Sequence, residues 1–188
     1  MRIVGGKFKR KKLIIPIDKK TRPLKDLVKE SIFNLIHHSN KFNVKIENSR
    51  ILDLFSGSGS FGLETISRGA KIVYFFENYS GVLKILKKNI FNLNCDQNSK
   101  IFEEDCFEYF EKNKPLIGDF DIIFIDPPYK ENKINNLISF FIKKKILKKN
   151  GIIIIHRHKN EKDILPPNLR IVEEKKYGIS KIIFMNYL

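Results

Sequence analysis

The sequence predicts an α/β fold: a mostly parallel sheet covered by helices on both faces and finished by an antiparallel hairpin. Three observations carry it. Short apolar runs alternate with stretches of helical spacing from Arg50 onward, a glycine-rich turn follows the first of these runs, and the rhythm breaks after Arg170. Strands that are apolar throughout, with no polar alternation, are buried on both faces, as in a parallel sheet whose strands are joined by helices. A chain of 188 residues suits a single domain, read as 1–188 with residues 1–23 forming a basic N-terminal β-arm.

The elements follow in chain order. Arg2-Ile3-Val4 and Leu13-Ile14-Ile15-Pro16 flank a basic turn from Gly5 to Lys12, which predicts a hairpin-like arm. After Thr21-Arg22-Pro23, the apolar residues Leu24, Leu27, Val28, Ile32, Leu35 and Ile36 have the spacing of a helix with one buried stripe. Strand Ile51 to Phe55, helix Ser60 to Arg68 stopped by Gly69, strand Ile72 to Phe76 and helix Ser80 to Leu93 come next. The alternation continues with a strand near Lys100 to Glu103, a short helix Phe107 to Lys112, strand Asp121 to Ile125, helix Asn132 to Lys148 and strand Ile152 to Ile155. Arg170 to Lys176 and Lys181 to Tyr187, either side of Tyr177-Gly178-Ile179-Ser180, read as the closing strand pair. Lys143-Lys144-Lys145 and Lys148-Lys149 make a basic helix end, expected to be a solvated face.

Hydrophobic residues at 42% and 16 Phe provide apolar surface for a packed core, which excludes global disorder. The balance of 36 basic against 21 acidic residues gives a net charge of +15, a self-repelling excess that a polyanionic partner such as nucleic acid offsets. AT-rich coding also favours Lys, and 29 of the 36 basic residues are Lys, but such bias does not suppress acidic residues. Cys95 and Cys106 have neither metal-ligand spacing nor a framework of partners and read as reduced thiols. No apolar run, Ile152 to Ile155 included, approaches the length of a membrane span, and the first residues lack a signal-peptide apolar region. The expectation is a soluble cytoplasmic protein, monomeric by default.

Two motifs carry chemistry. Ile51 to Gly62 is a strand, a glycine-rich turn and a helix start, and Gly57, Gly59 and Gly62 fit GxGxxG. Such a turn lets backbone N–H groups approach a ligand above the strand ends. Glu77, 18 residues beyond Gly59, ends the next strand where a carboxylate can accept both ribose hydroxyl protons. The glycine pattern by itself also admits a nicotinamide dinucleotide or a purely structural turn. Asp53 separates these readings, because a carboxylate ahead of the loop repels a pyrophosphate but suits the ammonium and sulfonium of S-adenosylmethionine. Phe55, Ser56, Gly57, Gly59 and Glu77 are the further candidate cofactor contacts. After the third strand, Asp105 is a candidate to accept from the adenine amino group with Phe107 packing nearby, a helix cap being its competing role, and Cys106 is a further candidate cofactor contact.

The second motif is Asp126-Pro127-Pro128-Tyr129, directly after the strand Asp121 to Ile125. Two prolines end the ladder and hold the backbone rigid, so that the Asp126 carboxylate and the Pro127 carbonyl can both accept hydrogen bonds from one amino group while Tyr129 stacks on its ring. An exocyclic base amine is a poor nucleophile because its lone pair is delocalised into the ring. Two acceptors on its protons turn that lone pair toward an electrophilic methyl, so the chemistry is in-line methyl transfer governed by positioning. The competing reading is an ordinary proline-rich turn. Because this motif ends the fourth strand and the glycine loop ends the first, both are expected to open onto one crevice.

These residues, with Arg2-Ile3-Val4-Gly5-Gly6-Lys7, Arg22-Pro23, Asp26 to Asn34 and Lys176-Tyr177-Gly178, resemble the bacterial 16S rRNA guanine-N2 methyltransferases of the RsmD type over nearly the whole chain. The resemblance implies a seven-stranded, Rossmann-like class I methyltransferase that uses S-adenosylmethionine, with 16S rRNA or the assembling small ribosomal subunit as partner. It also implies cofactor contacts at Asp53, Gly57, Gly59, Glu77 and Asp105 and an amine site at Asp126, Pro127 and Tyr129. The chain departs from the family pattern at Leu24 and Leu27, where a Thr and an Arg are usual, and at His156-Arg157-His158, where an acidic residue is common. His156 and His158 are read as non-catalytic, since amino-group methylation can release its proton to water, and with Arg157 they are expected to touch phosphate. Lys7, Lys9, Arg10, Lys11, Lys12 and Arg22, with Lys25, are the stronger candidates for holding RNA. The alternatives are a DNA adenine-N6 methyltransferase, for which no target-recognition insert is evident, a protein glutamine methyltransferase, a non-catalytic RNA-binding assembly module and an NAD-linked oxidoreductase.

Overall fold

The computed structural model describes residues 1–17, 24–112, 118–128, 131–161 and 166–188. In chain order the elements are helix α1 (Asp26–His38), strand β1 (Arg50–Leu54), α2 (Ser60–Ser67), β2 (Ile72–Phe76), α3 (Ser80–Asn92), β3 (Ser99–Phe102), α4 (Cys106–Glu111), β4 (Phe120–Ile125), α5 (Ile134–Lys143), β5 (Leu147–His158), β6 (Leu169–Tyr177) and β7 (Ser180–Tyr187). The strands form one seven-stranded sheet in the order β3-β2-β1-β4-β5-β7-β6, parallel from β3 to β5 and antiparallel where β7 pairs with β5 and β6. The chain runs outward from β1 to β2 and β3 on one side and resumes at β4 on the other. The crevice at that reversal is where ligands bind in open α/β sheets.

Two apolar layers cover the sheet. Helices α1, α2 and α3 pack on one face through Val28, Ile32, Phe33, Phe61, Leu63, Leu86 and Ile90, and α4 and α5 pack on the other through Phe110, Leu137, Ile138 and Phe141. The sheet positions beneath them, such as Ile122 and Ile123, are fully buried in alternate directions, which is why β4 reads as unbroken hydrophobic sequence. The segment from Phe42 to Ile46 follows α1 without joining the sheet, yet buries Phe42, Val44 and Ile46 in the first layer.

The N-terminal arm is anchored to the fold. An isolated antiparallel bridge joins Arg2 to Lys12, and Ile3 and Leu13 are buried. The carboxylate of Glu64 on α2 accepts the backbone N–H of Val4 and Gly5 at 2.7 and 2.8 Å, and Ser67 Oγ accepts that of Phe8 at 2.9 Å. At Gly6, with φ +72°, a Cβ would lie 1.9 Å from the Ser67 carbonyl oxygen, so only glycine lets the arm approach α2 this closely. Lys29 is buried behind the arm. Its Nζ donates to the Arg2 carbonyl at 2.5 Å and to Ser60 Oγ at 3.2 Å and lies 3.8 Å from Glu64, while burial lowers its pKa against the pull of Glu64 and Asp26.

Three expectations are corrected. Leu27 is 70% exposed, because the stripe that reaches the core uses Val28, Ile32 and Ile36. Helix α5 starts at Ile134 and ends at Lys143, where Lys145 with φ +53° turns the chain so that Leu147 can pair with Phe120. Lys148 therefore lies in β5, not at a helix end, and its Nζ is 2.9 Å from both carboxylate oxygens of Asp121.

Candidate active site

The glycine loop is held by contacts local to the strand ends. After β1, Phe55 takes φ +58°, an uncommon backbone for a bulky residue, which reverses the chain above the sheet. Ser56 Oγ donates to the Asp53 carbonyl at 2.6 Å, and Ser56 N donates to the Phe76 carbonyl at 2.9 Å, fixing the loop to the end of β2. Asn89 of α3 donates to the Ser58 carbonyl at 2.9 Å and joins the loop to the arm by exchanging hydrogen bonds with the backbone of Ile14. Gly62 is required by packing, since a Cβ there would lie 2.2 Å from Phe75. Gly57, with φ +57°, instead faces open space: among the described residues, nothing lies within 4 Å of where its Cβ would be.

Glu77, at the end of β2, accepts the Gly57 N–H on Oε2 and the Tyr79 N–H on Oε1, each at 2.8 Å. Both oxygens are thereby fixed in direction, and a carboxylate so held keeps further lone pairs for hydroxyl donors. Asp105 serves as the N-cap of α4, accepting from Phe107 N at 2.8 Å and Glu108 N at 3.1 Å, while its second oxygen accepts from Asn78 at 3.1 Å. The cap that competed with the adenine role is thus what the geometry displays.

The third group follows β4. Ile125 pairs with Leu54 on one side and with Ile155 on the other, so Asp126 emerges between the glycine loop and the end of β5. Its backbone N–H donates to the Leu54 carbonyl at 3.3 Å, and its Oδ1 lies 2.8 Å from Nδ1 of His156. Arg157 reaches past the motif, donating from Nη1 to the Glu131 carbonyl at 2.9 Å.

Asp53, Glu77 and Asp126 converge on one cavity of ≈ 380 Å³, lined also by Phe55, Ser56, Gly57, Ser58, Asn78, Tyr79, Pro127 and Pro128. No Lys or Arg is among the described residues that line it, although the chain carries +15. Burial raises the pKa of Asp53 well above the ordinary carboxylate value; the Gly62 N–H, 3.0 Å from Oδ2, opposes this, and the charges of Asp126 and Glu77 add to it. A cluster of like charges in a concave site relieves its repulsion by taking a cationic ligand and disfavours a pyrophosphate. The donor set and the open face at Gly57 therefore fit an S-adenosyl cofactor better than a dinucleotide.

Of the candidate cofactor residues, the fold brings Asp53, Phe55, Ser56, Gly57 and Glu77 to this cavity, together with Asp126 and Pro127. Gly59 lies beneath the loop as the left-handed N-cap residue of α2. Cys106 is buried in the opposite apolar layer, and burial raises its pKa. Lys7, Lys9, Arg10, Lys11 and Lys12 are all exposed on the arm, and Arg22 and Tyr129 lie outside the described residues. The expected phosphate contacts of His156 and Arg157 are corrected, since their side chains are each 4% exposed and face Asp126 and Glu131. Sequence reasoning missed the approach of His156 to Asp126, the Asn89 bridge and the lining role of Asn78 and Tyr79. The placement of the last two just after Glu77 was the available signal.

A parallel sheet with this strand order, a glycine loop after β1 and an acidic crevice between β1 and β4 define the class I S-adenosylmethionine-dependent methyltransferase fold. The chain belongs to the RsmD family, whose model, described as conserved hypothetical protein 95, matches residues 1–186. It is 34% identical over 182 residues to ribosomal RNA small subunit methyltransferase D of Haemophilus influenzae, covering 95% of this chain and 90% of that protein. It is 30% identical to the putative rRNA methyltransferase YlbH of Bacillus subtilis, covering 97% and 96% of the two chains. Among solved structures, the putative methyltransferase yhhF from Escherichia coli superposes with a TM-score of 0.84 at 26% identity, covering 100% of this chain and 97% of that one.

Proposed function

We propose that this protein transfers a methyl group from S-adenosylmethionine to the exocyclic N2 amine of a guanine in small-subunit 16S rRNA. The observation that carries the reading is a cavity whose charged side chains, among the described residues, are all acidic, in a strongly basic chain, which supports a cationic cofactor in the cleft and a polyanion on the surface. Rather than a DNA base, rRNA is the substrate we favour, by analogy with the relatives' names. The cytoplasm, where rRNA is found, is the corresponding compartment.

The cofactor, when bound, supplies an electrophilic methyl on its sulfonium. Glu77 accepts its ribose hydroxyls, Asp53 faces its cationic end, and the Gly57 backbone leaves room for it above the strand ends. Asp126 and the Pro127 carbonyl accept the two protons of the guanine amine, and Tyr129 stacks on the base. Lys7, Lys9, Arg10, Lys11, Lys12 and Arg22 hold the RNA backbone. The arm runs beside α2 from Ile14 near the glycine loop to Phe8 at Ser67, and an eight-residue helix spans about 12 Å, so the cations extend away from the cavity mouth along a strand's path.

Methyl transfer from labelled S-adenosylmethionine to undermethylated small subunits, naked rRNA and DNA, followed by nucleoside analysis, tests the reading. N2-methylguanosine is the expected product, and N6-methyladenine in DNA would replace it with the adenine alternative.

The raised pKa of Asp53 gives a second test. A carboxyl whose pKa is raised in the folded protein holds a proton that a cationic ligand displaces, so cofactor binding releases protons and tightens as pH rises through that pKa. The same shift makes the empty protein lose stability as pH rises above the ordinary carboxylate range. Calorimetry in two buffers of different ionisation enthalpy, repeated as the pH is lowered toward the ordinary carboxylate range, is expected to show proton release in the wild type that Asp53→Asn lacks, and Asp53→Asn also binds the cofactor about 10- to 100-fold more weakly. Equal apparent enthalpies in both buffers at every pH of the series would remove Asp53 from the cofactor site.

A further inference from the structure

Asp126 leaves the sheet beside His156, which continues in β5, because Ile125 and Ile155, the residues before them, are paired between β4 and β5. His156 Nδ1 lies 2.8 Å from Asp126 Oδ1, and the imidazole is 4% exposed. Its neighbour across β7 is Ile182, itself fully buried. Its remaining side borders a second cavity of ≈ 340 Å³, lined with Lys25, Leu27, Val28, Tyr177 and Ser180. Its place within β5, between β4 and β7, sets where the ring starts from the backbone. Asp126 stands instead on a loop, with two side-chain torsions that the prolines after it do not fix.

We propose that His156 is a positioning residue: its Nδ1–H holds one oxygen of Asp126 so that the carboxylate presents a lone pair in a fixed direction to the substrate amine. The inference rests on the reading of Asp126 as amine acceptor given above. A carboxylate has about four lone-pair directions, so one bond to imidazole leaves acceptor capacity for the amine. The Asp126 carboxylate is acceptor only, which assigns the hydrogen to Nδ1 and makes the neutral ring the Nδ1–H tautomer.

The test compares His156→Ala and His156→Asn with the wild type on small-subunit RNA. Loss of orientation in His156→Ala is expected to lower kcat by about 10- to 100-fold, with cofactor Kd and RNA KM within about twofold of wild type. His156→Asn, whose amide N–H can stand where Nδ1–H stands, is expected to restore most of kcat. A wild-type kcat in His156→Ala, or an equal loss in both variants, would overturn the proposal. The two readings fail separately. Methylation of a ring position by the wild type removes the amine reading of Asp126, whereas methylated amine with indifference to His156→Ala removes only the role of the histidine. Nitrogen-15 NMR of the imidazole gives a readout independent of transfer: an Nδ1–H tautomer that changes in Asp126→Ala is expected, and an Nε2–H tautomer in the wild type overturns the hydrogen bond.

Discussion

Asp126→Ala is expected to lower kcat for methyl transfer by about 10²- to 10³-fold, because it removes one of two acceptors that turn the amine lone pair toward the methyl. The amine reaches its reactive geometry only when both of its protons are directed. The Pro127 carbonyl is fixed by the backbone, so the Asp126 carboxylate is the acceptor that a single substitution can delete. Cofactor affinity is expected to survive. Asp53 and Glu77 remain in the cavity to meet the cationic end and the ribose, so the change in Kd is expected to stay within about fivefold. Single-turnover transfer and calorimetric titration of the cofactor separate the two quantities. A Kd that rises in proportion to the fall in kcat would show that Asp126 binds the cofactor and does not orient the amine.

Neutralising Lys9, Arg10, Lys11 and Lys12 together is expected to weaken RNA binding by about 100-fold at low salt and to reduce the slope of log affinity against log salt by about 3. Each cation that meets a phosphate releases condensed counterions, and the slope counts those releases. The substitutions should leave the fold unchanged, since these side chains are exposed while the arm is held by Ile3, Leu13, Glu64 and Asn89. Filter binding of small-subunit RNA across a salt series reads both numbers. An unchanged slope would move the RNA away from the arm.

Much of the fold was legible because its signals are local. The apolar runs of β1, β2 and β4, the helical stripe of α3 and the stop at Gly69 each act over a few residues and come within about a residue of the observed elements. Where a boundary was misjudged, a distant partner decided it. Helix α5 stops early because Leu147 is needed opposite Phe120, and nothing within Asn132 to Lys148 announces that pairing. Lys29 falls in the buried stripe of α1 against its polarity because Glu64, the Arg2 carbonyl and Ser60 supply its partners.

The sequence by itself determined the class of the fold, the glycine loop with Asp53 and Glu77, and the Asp-Pro-Pro motif. Residue type and spacing along a strand, turn and helix fix these within one stretch of chain. Only the tertiary structure decided that Cys106 faces the opposite layer, that Arg157 is turned inward to Glu131 and that His156 lies on Asp126 thirty positions away. Each of those roles depends on which elements become neighbours. In a parallel sheet the neighbours are set by crossover connections and register, so residues far apart in the chain meet at the strand ends.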